Sequence, residues 1–431
     1  MSSQFLKGTL NSPLLKFFGI LMSGTLVAQG IGYAIAPILT RLYDPSEIGE
    51  LGLFVRITSF IAAIATLRYE LAIPLPKEEH QGFTLYKAAS KIAFFIALFC
   101  VLVFASLIIT NVTPGFDWKY VVLTLLGSLS IIVINLGTNW SIRVGAFAHI
   151  SRQKIVNSLF GNGLKWLFGV FSMSYMGLIL ATVIGYALSS LEFIKQYFAK
   201  NKLFKTEKPV LETKELLRKY KDFPLLNLPH VVVDNGRDML VAAIIFSYFS
   251  DSIFGSFSHS YVILRIPVML VGVSLGQIFY NQVSQKVNAN LPIMPFAKKT
   301  IMGLFLLSLA PFTFLFFFGE EVFSFVFGSN WSDSGRFSEI MSFWLMANFL
   351  VSPISALPLI LNQQKTAFLL GIVGMLLQVI PLWVVPLVMG NEMFEFEFAL
   401  NLISYGQGVW LLFSLFVYFR FIKSYDEKVK V

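Results

Sequence analysis

Four basic side chains, Arg56, Lys165, Arg237 and Arg265, stand inside long apolar runs of this 431-residue chain. A cation near the centre of a bilayer costs about 2.5–3.5 kcal/mol even on lenient insertion scales, so such residues normally face a water-filled cavity or a partner charge. Guanidinium forks grip phosphate oxygens in bidentate fashion and an ammonium supplies a point charge. Four cations at mid-depth therefore suit an anionic, phosphate-bearing ligand, and all four are candidate substrate-binding residues. The competing reading is structural. Asp234, Arg237 and Asp238 fall at i, i+3 and i+4 on one helix face and can pair with one another. Arg237 is thus open between ligand and lock, and Asp234 and Asp238 double as candidates for a coupling proton or sodium ion. No acid lies within four residues of Arg56, Lys165 or Arg265, which assigns these three to a cavity lining.

The elements that must hold these charges are membrane spans. The chain is 56% hydrophobic and 13% charged, with a mean hydropathy of +0.72, outside the usual composition of soluble globular proteins. Spanning hydrocarbon takes about 20 residues, and twelve runs qualify: 17–40, 49–67, 92–116, 119–141, 153–172, 175–194, 222–248, 253–281, 299–318, 338–361, 366–389 and 398–420. The first is too long for a signal-peptide core and is expected to be retained. At 1.5 Å per residue Arg56 and Arg265 lie roughly 11–18 Å below the outer surface, with Lys165 about as far from the inner one. The run 222–248 holds Pro224, Asn227, Pro229, His230 and Asn235, too polar for a lipid-facing helix, and should bend and line the cavity.

Charge sets the orientation. With both termini cytoplasmic, the inside segments carry 26 of the 33 basic residues, and the outside loops hold only Arg41, Lys119 and Arg336. That asymmetry obeys the positive-inside rule. The clustering between spans also turns the net charge of +9 into a topology signal rather than a nucleic-acid footprint. Acids gather outside, at Glu320, Glu321 and Asp333 and at Glu392, Glu395 and Glu397, where they read as solvated loop charges. The chain divides into an N-terminal six-helix lobe (1–194), a basic cytoplasmic linker (195–221) and a C-terminal six-helix lobe (222–431). The linker carries nine basic residues and should lie against anionic inner-leaflet lipid, or serve simply as a topogenic loop. Arg41–Gly49 and Ser247–Gly255 are faintly alike, each ending in a glycine that opens an even-numbered span, as in a tandem repeat.

Three features carry a family resemblance. They are Leu39-Thr40-Arg41-Leu42-Tyr43 followed by Pro45 and Gly49, the stretch Arg68-Tyr69-Glu70-Leu71-Ala72-Ile73-Pro74-Leu75-Pro76, and the six-plus-six plan. On these the chain resembles the O-antigen (Wzx-type) polysaccharide flippases of the multidrug/oligosaccharidyl-lipid/polysaccharide exporter superfamily. The likeness is specific in the first 90 residues and architectural thereafter. It implies an all-α integral membrane protein of two six-helix lobes around a central cavity open alternately to each side. It further implies translocation of undecaprenyl-pyrophosphate-linked oligosaccharide to the periplasmic leaflet of a bacterial inner membrane, beside polysaccharide polymerase machinery.

Other chemistries find little support. The sequence has no P-loop and no H-E-x-x-H pair. Its single cysteine, Cys100, can form neither an intrachain disulfide nor a multi-cysteine metal site. No cofactor or metal is expected, and no nucleic-acid partner. A membrane glycan polymerase or ligase is the alternative from another class, disfavoured by outside loops of at most about 19 residues. A multidrug cation exporter would share the architecture but should have an acidic or apolar cavity.

Overall fold

The computed structural model of the chain describes residues 13–110, 117–204 and 213–429. Twelve long helices carry the described chain, each on one of the twelve expected runs. They are α1 (Pro13–Leu39), α2 (Pro45–Ala65), α3 (Glu79–Ile109), α4 (Trp118–Arg143), α5 (Phe147–Val170) and α6 (Ser174–Leu203), then α7 (Leu228–Tyr248), α8 (Asp251–Asn288), α9 (Met294–Phe327), α10 (Ser332–Val351), α11 (Gln364–Val388) and α12 (Met393–Val429). No strand occurs among the described residues. A helix bonds its backbone groups within its own segment, which hydrocarbon demands. The chain is an all-α membrane protein.

Several helices outrun their apolar runs: α3 starts at Glu79 rather than 92, and α12 continues to Val429 rather than 420. Hydropathy marks the depth of hydrocarbon, whereas a helix stops where its backbone is capped. The caps are visible. Asp44 and Glu47 flank Pro45 at the start of α2, and Glu47 Oε2 accepts the Asp44 N–H at 2.9 Å, as in a capping box. Asp117 caps α4 by accepting from the Tyr120 N–H, and Ser250 caps α8 through the Ile253 N–H, both at 3.0 Å. The α9 cap comes from far away in sequence. Asp426 on α12 accepts the N–H groups of Ile293 and Met294 at 2.8 and 3.0 Å.

The chain forms two compact units. The first comprises residues up to Tyr43 and Glu50–Met239, the second Asp44–Gly49 and Leu240–Val431. In the first, α3 packs on α4, α4 on α6, α6 on α5 and α5 on α1. In the second, α9 packs on α10, α10 on α12 and α12 on α11, so three pairings recur six helices later. The glycines of the sequence repeat meet inside the second unit. A side chain on Gly49 would overlap the Asp251 carbonyl, and one on Gly255 the Pro45 carbonyl. The first turns of α2 and α8 touch backbone to backbone, which only glycine permits.

The stretch that follows α2 folds into a buried lock in the first unit. Tyr69–Ala72 form a 3₁₀ turn entered through left-handed Leu67 and Arg68. Glu70, 3% exposed, accepts from the Thr66 hydroxyl and pairs with Arg68 at 3.0 Å. Arg143, at the end of α4, donates to the carbonyls of Ile73 and Glu78 at 3.0 and 2.6 Å. Tyr69 donates to the Leu217 carbonyl at 3.2 Å, in the short helix Thr213–Lys219. This part of the basic linker is therefore docked on the first unit. The acids expected outside are not all merely solvated: Glu397 pairs with Arg336 at 2.8 Å.

Candidate substrate-binding site

Among the described residues, eight helices are long and apolar enough to cross a membrane on those grounds alone. Lys165, Arg237 and Arg265 lie on α5, α7 and α8. The structure places each charge differently.

Lys165 lines a cavity of about 440 Å³ in the first unit, bounded by α1, α5 and α6. The α5 wall is a polar stripe. Gln153 and Lys154, Asn157 and Ser158, Gly161 and Asn162, and then Lys165 recur at helical spacing along one face. The facing wall supplies Thr25 and Gln29 from α1 and Thr182 and Tyr186 from α6. Close approach of α5 and α6 depends on small residues: a Cβ on Gly185 would lie 2.9 Å from the Gly161 Cα, whereas one on Gly161 would meet no atom within 4 Å.

Hydrogen bonds fix much of this lining. The Lys154 ammonium donates to Thr25 Oγ1 at 2.9 Å, the Ser158 hydroxyl to the Ala28 carbonyl at 2.6 Å, and the Asn162 amide to Ser158 Oγ at 3.2 Å. Gln153 Nε2 reaches Ser189 Oγ at 3.3 Å. Beyond Lys165 the helix is tied down by the Tyr43 hydroxyl, which donates to the Lys165 carbonyl at 2.8 Å. Gln29 Oε1 is buried with no hydrogen-bond partner among the described residues. Among the described residues no aspartate or glutamate lines the cavity, so its described lining carries two positive charges and no negative one.

The other candidates lie outside this lining. Arg56, on α2, donates to the Gly52 carbonyl at 3.1 Å. Arg237, on α7, forms a forked contact with the neighbouring Asp238, Nη2 and Nε lying 3.1 and 3.3 Å from Oδ1. The Asp234 and His230 side chains lie outside the described residues. The run 222–248, expected to bend and line the cavity, opens with a π-helical turn at Phe223–Asn227 and supplies none of the described residues of this lining. Arg265 belongs to the second unit, its guanidinium 5.2 Å from the centre of the Tyr261 ring. Sequence reasoning missed Lys154 and the amides of α5. Lys154 follows Arg152 at the start of the span and reads there as a topology signal, although the repeat of polar pairs through 153–162 was legible as a period.

Comparison with solved structures bears on the fold. The fold is that of the MOP-superfamily transporters. An inward-facing multidrug resistance MATE family transporter superposes with a TM-score of 0.69 at 15% identity, covering 94% of this chain and 99% of that one. The lipid II flippase MurJ, in an inward closed conformation, gives 0.68 at 13% identity over 96% and 90%. A MOP-superfamily transporter from Pyrococcus furiosus with a binding pocket of reverse polarity gives 0.50 at 14% identity over 96% of each chain. No curated protein matches the sequence closely enough to be informative. A family model does match, over residues 38–336, and the chain belongs to that family, described as polysaccharide biosynthesis protein.

Proposed function

We propose that the chain is a flippase, not an enzyme, that moves an anionic undecaprenyl-pyrophosphate-linked oligosaccharide from the cytoplasmic to the periplasmic leaflet of a bacterial inner membrane. Movement is by alternating access, both termini are cytoplasmic, and the product feeds surface polysaccharide such as O-antigen. The six-helix lobes 1–194 and 222–431 flank the cytoplasmic linker 195–221. Arg56, Lys165, Arg237 and Arg265 balance the charge of the substrate, and Asp234 and Asp238 couple an ion.

The observation that favours this over a multidrug cation exporter is the sign of the first unit's cavity. Lys154 and Lys165 line it without a carboxylate, so a cationic drug would meet like charge in a poorly screened setting, whereas an anion is stabilised. In the Pyrococcus furiosus transporter, too, reversed pocket polarity suggests a different function. The family match supplies the polysaccharide context.

Deleting the gene should make a lipid-linked oligosaccharide accumulate on the cytoplasmic face. Arg56→Ala, Lys165→Ala and Arg265→Ala should each abolish export in complementation, at normal abundance on a membrane immunoblot. Normal export by all three, or failure only through loss of the protein, overturns the charge-balancing role.

A further inference from the structure

We propose that the cavity bounded by α1, α5 and α6 is a saccharide subsite selective for an oligosaccharide that bears an acidic sugar. Lys154 or Lys165 takes the sugar carboxylate and the amides between them take ring hydroxyls. The proposal rests on the flippase reading and names the substrate class for this cavity.

Size excludes a bare ion. A volume of about 440 Å³ lies in the range of small-molecule pockets, roughly 300–1,000 Å³, and far exceeds the ~30 Å³ share of one water. Charge excludes a neutral guest as the best fit: two ammonium groups in a spanning helix with no lining carboxylate are offset by an anion. Spacing excludes a single small anion bridging both. Lys154 and Lys165 are eleven residues apart on α5, or about 16 Å along its axis, so the guest is extended.

Donor and acceptor chemistry then separates an acidic sugar from the pyrophosphate. Gln29 Oε1 is a buried acceptor without a partner, and it needs an O–H or N–H. An ionised pyrophosphate or carboxylate offers only acceptors, whereas ring hydroxyls donate as well. Asn157, Gln153 and Tyr186 also line the cavity and can both give and accept. Arginine, whose fork suits phosphate best, is absent from this lining among the described residues. A guest with both hydroxyl donors and a negative charge satisfies all of these groups together.

The test uses the purified full-length protein in nanodiscs and calorimetric titration with trigalacturonate, maltotriose and inorganic pyrophosphate. Trigalacturonate should bind, and maltotriose should bind at least about tenfold more weakly. Lys154→Gln and Lys165→Gln should each weaken trigalacturonate by about tenfold or more, as expected for a charge-assisted hydrogen bond. Gly161→Leu fills the cavity from a position where a Cβ meets no atom, and should abolish binding with the melting temperature retained. Pyrophosphate should not displace trigalacturonate.

Equal binding of maltotriose, insensitivity to both lysine substitutions, or displacement by pyrophosphate overturns the acidic-sugar assignment. Export of lipid-linked glycan by the same variants in the deletion strain is scored alongside. Gene-dependent export without trigalacturonate binding overturns the subsite and leaves the flippase standing, whereas export that ignores the gene overturns the flippase reading itself.

Discussion

Replacing Asp426 with alanine removes the only side-chain cap described at the start of α9 among the described residues. The residue is 8% exposed, and its carboxylate holds the N–H groups of Ile293 and Met294 at 2.8 and 3.0 Å. Loss of an N-cap costs about 0.5–2 kcal/mol, and a buried donor left unsatisfied about 1–3 kcal/mol. Ile293 is fully buried, so water cannot replace the carboxylate without opening the cluster of Phe279, Val283, Ile354 and Ile422 around it. Together these give about 2–4 kcal/mol. For a unit of roughly 200 residues, at about 2–4 °C per kcal/mol, that lowers the melting midpoint by about 4–16 °C. Asp426→Asn keeps one carbonyl acceptor and should lose about half as much. The assay is the fraction of monodisperse protein left after heating in detergent, read by fluorescence size-exclusion. A midpoint for Asp426→Ala within about 2 °C of wild type would show that the contact does not hold α9, and the reasoning would be refuted.

Three further outcomes are expected. Glu70→Ala strands Arg68 beside a buried site and should lower membrane abundance by destabilising the first unit by about 2–4 kcal/mol, with Glu70→Gln milder; an immunoblot of the two beside wild type checks this. Arg237 and Asp238 form a partly exposed pair, with side chains 28% and 37% accessible, so a double-mutant cycle on thermal stability should give a coupling of at most about 1 kcal/mol. Reporters fused after residues 80, 148, 210, 290 and 431 should read cytoplasmic and those after 45, 116, 327 and 393 periplasmic; a periplasmic carboxyl terminus contradicts the twelve-span topology.

The twelve helices were legible because each buries its own backbone polarity in a long apolar run, and hydropathy registers that directly. Their ends were not, since Glu79 and Val429 continue helices into water beyond the hydrocarbon. Lys165 stood out as a lone cation among apolar neighbours. Lys154 did not, because its meaning depends on Thr25, 129 residues away in sequence, and its own neighbourhood resembles a cytoplasmic charge cluster. Asp426 was equally opaque: in the chain it is one charge in a polar tail, and its partner lies 133 residues earlier. Glu397 read as a loop acid because the guanidinium that takes it, Arg336, is on another helix. Contacts between distant segments are the part that composition and periodicity do not encode.

The lock around Glu70 also sets an order for assembly at the ribosome. Its loop carbonyls at Ile73 and Glu78 are closed by Arg143, which emerges 70 and 65 residues later, and Tyr69 waits 148 residues for Leu217. The stretch between α2 and α3 is therefore synthesised long before its partners exist, and the Tyr69 hydroxyl finds its acceptor at Leu217 only after α6 has been made. Chains fold unit by unit from the amino terminus during synthesis, so this loop reports completion of the first unit: a chain truncated before residue 217 leaves it open to quality-control proteases.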